Sequence, residues 1–147
     1  MSHTPATYDD AKLILELYDM RREETLRKAR QWFTHNFHCA TMEDFNKLCP
    51  PGSAENAYAR QVITYWEMVA SFITSGVLNE HLFFQSGMEL LLVWERARDL
   101  SVESRAVNKN PASWKNLEMV AGRFIQYLNG IDPETYPAFS KRVRGMK

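Results

Sequence analysis

Two cysteines, six glycines and six prolines among 147 residues are few, and each shortage closes off a class of protein. Two thiols, Cys39 and Cys49, cannot build the cross-linked scaffold of a small exported domain, and in a reducing compartment they stand as small apolar side chains. No glycine-rich phosphate loop is present, nor a nucleophile elbow, a CxxC pair or an HExxH, so no cofactor is expected from a motif. An excess of charge is also missing. Eighteen Lys and Arg offset 18 Asp and Glu, so no overall field draws the chain toward nucleic acid or acidic lipid. The longest uncharged run through the middle, Met68 to Asn79, mixes Ser, Thr and Gly with its apolar residues and falls short of the ~20 needed to span a bilayer. The start, MSHTPATYDDAK, has no basic region followed by an apolar one, so no export signal is expected and the cytoplasm is the expected compartment.

What the chain does have is helical periodicity nearly throughout. Thr7, with Asp10 three residues on, has the form of a capping box. No Gly or Pro follows until about His35, which predicts a first helix of roughly 28 residues, ~42 Å long. Arg21-Arg22-Glu23-Glu24 would be its exposed middle, with Glu24 pairing with Lys28 one turn on. Its first half carries more apolar residues than one face can bury, so self-association, most simply as a homodimer, is expected through Leu13, Leu17 and Met20. Thr41 opens a short helix ending near Leu48, and Cys49-Pro50-Pro51-Gly52-Ser53 breaks the chain. Ser53 caps a second long helix ending at Gly76, in which Glu67 falls on the wet side with Arg60, Thr64 and Ser71.

Asn79 caps a third helix that passes Phe84 and Trp94 and softens toward Val107, and a fourth runs from Pro111 to Gly130. Asp132-Pro133-Glu134 opens a short terminal helix. With no strand pattern and no repeat, residues 1–147 read as one all-α domain. Its expected architecture is an antiparallel up-down bundle of four main helices, with short additional helices after the first and at the C-terminus. Gly87 and Gly122 interrupt helical patterns at about 1 kcal/mol each relative to alanine. A close crossing of the third and fourth helices over Ser86-Gly87 and Ala121-Gly122 would explain them; a ligand against bare backbone or a π-bulge is the alternative.

Little else looks chemical. In HNFHC, a continuing helix would set His35 and His38 on one face with Cys39 a turn from His35, and Cys49 could complete a zinc set, though the spacing matches no recurring pattern. The plainer reading is a helix end whose imidazoles face its partial negative charge while Phe37 and Cys39 enter the core. No Glu-x-x-His occurs, which argues against a di-iron bundle. His81 falls on a solvated face, and Lys141, Arg142, Arg144 and Lys147 form a solvated basic terminus rather than a nucleic-acid site. No nucleophile and base are paired by spacing, so an enzyme ranks behind two other readings. Aromatics are more telling, at 12% with a tryptophan on each main helix. Most must be packing, yet a small apolar or aromatic ligand could lie between the second, third and fourth helices near Trp66, Phe84, Trp94 and Gly122.

The segment from Tyr65 to Asp99, with its Trp66-Glu67, Gly76-Val77-Leu78-Asn79-Glu80, Leu82-Phe83-Phe84 and Trp94-Glu95, resembles the central region of a family of small helical bacterial proteins known as a domain of unknown function. The resemblance implies a helical fold and no catalytic residues. Some relatives carry an N-terminal membrane anchor; none is expected here. The leading expectation is therefore a soluble interaction or regulatory module that self-associates, with the internal ligand pocket second.

Overall fold

Each helix begins where a side chain can take up its orphan amides. In the computed structural model, which describes residues 4–145, Thr7 and Asp10 form the expected reciprocal capping box at the head of α1 (Tyr8–Met20). Thr41 caps α3 (Met42–Leu48), Ser53 caps α4 (Ala54–Thr74) and Asn79 caps α5 (Glu80–Phe84). Gly76, at φ +77°, closes α4 with a Schellman motif in which Val77 N donates to Phe72 O and Gly76 N to Ile73 O. The described residues hold eight helices and no strand, and no helix is long and apolar enough to cross a membrane.

Two of the expected helices are each two. The first breaks at Arg21–Glu23, so that α1 is followed by α2 (Glu24–Asn36). No Gly or Pro marks the break. Instead Glu23 turns its carboxylate onto its own backbone, accepting from Thr25 N and Leu26 N at 3.0 Å each, and these bonds hold its pKa below the usual carboxylate range. Arg30 clamps the joint from α2, donating to Arg21 O at 3.0 Å and to both oxygens of Glu89 at 2.6 Å. Glu24 and Lys28 pair as expected, 3.2 Å apart on the surface.

The third helix breaks at Gln85–Gly87 into α5 and α6 (Met88–Val107). Gly87 is thus no helix crossing. It begins α6, and the Phe83 ring lies where a Cβ on Gly87 would stand. A Cβ on Gly122 would meet nothing within 4 Å, so the close crossing fails there too. The fourth helix, α7 (Lys115–Ile131), starts four residues later than Pro111 and is entered through Trp114 in the left-handed region at φ 59°. A last helix, α8 (Thr135–Gly145), closes the chain. Of the basic terminal residues, Lys147 lies outside the described residues.

α4 is the central element. It packs against α2, α6 and α7, while α8 lies against α6 and α7 and α3 against α6; α1 has its main contact with the short α5. Fully buried Phe33, Phe37, Leu90, Leu91, Leu117 and Phe124 fill the centre. Aromatic pairs lock it, with Phe33 stacked on Phe37 and Phe84 tilted against Phe124, both at 4.5 Å between centroids.

Candidate functional site

The core side of the molecule uses ionisable groups as fasteners. Glu95 on α6, only 2% exposed, accepts from the Tyr136 hydroxyl and from Ser140 Oγ at 2.8 Å, which pins α8 to α6. Arg98 and Arg144 stand 3.8 and 3.9 Å away, and Arg144 also reaches Asp99 at 2.7 Å. Burial and the bond to Glu95 push the Tyr136 hydroxyl above its ordinary pKa. Arg96 donates to the carbonyls of Thr34 and Phe37 at 2.9 and 2.8 Å, completing the C-terminal end of α2. Burial holds its pKa below the ordinary guanidinium value.

Glu67 does not face water as its spacing predicted. It accepts from Leu117 N at 2.9 Å and from Asn116 Nδ2 at 2.7 Å, so a carboxylate on α4 caps the first turn of α7. Thr74 donates to Asn116 Oδ1 at 2.6 Å from the same side. Together they hold the turn that follows the left-handed Trp114, a conformation costly for a bulky residue unless its surroundings enforce it.

The expected metal set does not assemble. α2 ends at Asn36 and Phe37 is extended, so His35 and His38 lose their shared helical face. Both imidazoles are exposed, and that of His38 sits against Arg96 Nη1, at 2.8 and 3.1 Å from its two ring nitrogens, where a second cation is unwelcome. Cys39 and Cys49 are buried and unbridged. Burial, with the neighbouring Cys49, pushes the Cys39 thiol up to about 12, and burial, with Glu55, pushes Cys49 up to about 11. Both are therefore protonated, apolar-behaving thiols. Among the described residues, no group of three or more His, Cys, Asp and Glu is placed to hold a metal ion.

Three hollows carry the remaining possibilities. A polar cleft of about 250 Å³ is lined by His38, Asp44, Glu95, Arg96 and Arg144, whose charges are largely spent on the contacts just described. A hollow of about 600 Å³ runs along residues 4–10 and 76–81, past Asp10, Asn79 and His81. A smaller slot, about 90 Å³, lies under α1 and is lined by Ile14, Leu17, Tyr65, Trp66 and Phe83 together with Arg21. Of the four expected ligand residues only Trp66 reaches a hollow. Phe84 is packed on Phe124 and Tyr127, Trp94 is 8% exposed and lines none of the three, and Gly122 is exposed on the outside of α7.

α1 itself divides differently from the expected interface. Leu17 is buried, its carbonyl accepting from Tyr65 Oη, and Leu13 is packed against the core, so neither faces outward. Met20, 52% exposed, does. It is joined by Tyr8 at 83%, Leu15 at 68% and Tyr18 at 51%, so four of the nine exposed large hydrophobic residues lie on this one helix. At 3.6 residues per turn Tyr8, Leu15 and Tyr18 share a side. Asp10 ties the helix down, accepting from Asn79 N at 2.9 Å; the backbone bond from Thr7, with this one, holds its pKa below the carboxylate range.

The fold and this arrangement define an all-helical protein whose N-terminal helix has one side against the core and an apolar side left exposed. Residues 6–124 match the family described as Domain of unknown function (DUF4760), and the chain belongs to that family. No curated protein and no solved structure matches the chain.

Proposed function

We propose that this domain is a binding module, at work in the cytoplasm, that pairs with a second copy of itself through the outward side of α1. The four helices that pack on one another, α2, α4, α6 and α7, are read as an antiparallel up-down set that leaves α1 outside as the docking element. The observation that carries the reading is the apolar stripe Tyr8, Leu15 and Tyr18, exposed on a helix whose other side is already used against the core. A surface of that kind favours a partner, and a two-fold axis lets one stripe cover another. Lys12 and Asp19 border it, so antiparallel pairing of two α1 helices sets opposite charges along its rim.

Light scattering on the full chain tests this. Twice the chain mass is expected for the unaltered protein, with Leu15→Glu converting it to the monomer while its helical circular dichroism is retained. A strict monomer across the accessible concentration range overturns the reading.

A further inference from the structure

The chain bends at Arg21–Glu23 although nothing in its local sequence requires a bend. Met20-Arg21-Arg22-Glu23-Glu24 holds no Gly, Pro or β-branched residue, and methionine, arginine and glutamate are all strong helix formers. Arg21 keeps right-handed helical dihedrals, φ −76° and ψ −8°, and Glu23 leaves them at ψ 142°. Across the bend the bonds tighten to three-residue spacing, from Arg22 N to Asp19 O at 3.1 Å and from Glu23 N to Met20 O at 3.3 Å. Returning Glu23 to a helical ψ gives up these, the bond from Arg30 to Arg21 O and the two amides held by the Glu23 carboxylate. In their place the four-residue ladder runs on unbroken from α1 into α2. Bent and straight joints are thus close in backbone bonding, and the straight one makes a single helix from Tyr8 to Asn36, ~43 Å long.

Straightening the joint carries α1 off its seat, because α2 is fixed against α4. The hold of α1 on its own chain is short. Leu17 is buried with its carbonyl accepting from Tyr65 Oη, Asp10 accepts from Asn79 N, and Arg21 lies over the Trp66 ring. Between them the half-buried Ile14 sits above a hollow of about 90 Å³. The seat itself, with Tyr65, Trp66, Val69 and Phe83, is apolar and already shaped to one helix. A second copy of the chain carries that same helix.

We propose that two copies exchange α1, each laying it on the other's Tyr65, Trp66 and Phe83 while the joint runs straight. Exchange remakes between chains every contact that α1 makes within one. It therefore gains only the joint, and the apolar stripe of α1 must supply the rest, so the inference rests on the pairing read above and names the form that pairing takes.

Equal amounts of ¹³C-labelled and unlabelled full-length chain, unfolded together in urea and refolded at a concentration where light scattering shows the dimer, test this by isotope-filtered NOE spectra. Contacts from the Ile14 and Leu17 methyls to the Trp66 and Phe83 rings are expected between labelled and unlabelled chains. The same contacts confined to one chain, with Leu15 and Tyr18 meeting between chains, would overturn exchange and leave pairing standing. A monomer would overturn both. Glu23→Ala removes a carboxylate that serves only the bent joint and leaves a helix former in the straight one, so it should raise the ratio of exchanged to unexchanged chains by about fivefold per joint, the loss of a typical cap. A triple-glycine insertion after Arg22, which breaks the straight helix, should return α1 to its own chain with the dimer mass kept. A ratio unmoved by the glycines, or lowered by Glu23→Ala, would overturn the proposal as well.

Discussion

The two ends of the molecule treat their side chains in opposite ways. Around α6 and α8 even charged groups are consumed: Glu95 is buried among a tyrosine, a serine and two arginines, and Arg96 is spent on the carbonyls that end α2. On α1, greasy side chains that burial would reward are left in water. Stability in the first region follows from that division, and on the proposed reading recognition follows in the second. A carboxylate enclosed with its partners contributes little to net stability against an apolar substitute but a great deal to where α8 must sit, because any other placement strands a charge. An exposed Leu15 contributes nothing to folding and is retained at some risk of aggregation.

The sharpest break of this contrast is Glu95→Ala. It leaves Tyr136, Ser140 and Arg144 facing an empty centre and should cost roughly 3–5 kcal/mol, read as a lowered urea midpoint with loosening of α8. A loss under ~1 kcal/mol would show that the cluster is ornamental to folding. Alkali probes the same side. An unfolded chain ionises both thiols near pH 9.0, whereas the folded chain holds their protons to about 12 and 11. Between those limits the unfolded state binds fewer protons, so stability that is complete below pH 9 falls as pH rises, by on the order of 2 kcal/mol at pH 10. Cys49→Ala should flatten the slope of urea midpoint against pH, and an equally steep slope in that variant would point elsewhere.

Glycine substitutions give smaller effects of opposite sign. Gly87→Ala drives a methyl into the Phe83 ring and should destabilise by about 1–3 kcal/mol. Gly122→Ala, on an open helical surface, should stabilise by up to about 1 kcal/mol in the same thermal melt. At the far end of the scale, Leu15→Glu should leave monomer stability within roughly 0.5 kcal/mol while abolishing pairing. A large stability loss on that substitution would mean that α1 is clasped by its own chain after all.

What the sequence disclosed and what it hid divide along the range of the interactions. Thr7 with Asp10, Thr41, Ser53 and Asn79 act on amides three residues away, so their helices could be read directly from the chain. The break at Arg21–Glu23 could not. Glutamate is a poor cap by composition, and what holds the joint is Arg30, itself fixed by Glu89 from 59 residues on. Gly87 was visible as an anomaly, yet its cause is the ring of Phe83 in the preceding turn rather than another helix. Glu67 misled for a similar reason: an acidic residue with polar neighbours at helical spacing looks solvated until the first turn of α7 is brought against it. Arg21 carries the one signal that could have pointed to the slot, a cation three residues after aromatic Tyr18, but its second ring partner, Trp66, lies 45 positions farther along.

Because Glu23 furnishes α2 with its own start, the cooperative unit of the domain can begin there, and the turns before it are free to open by themselves. Backbone amides of α1 should then trade their protons for solvent deuterium through brief local unfastening, long before those of α4, which must wait for the whole assembly to come apart. Whatever grips α1 would announce itself first as a slowed clock in that one helix.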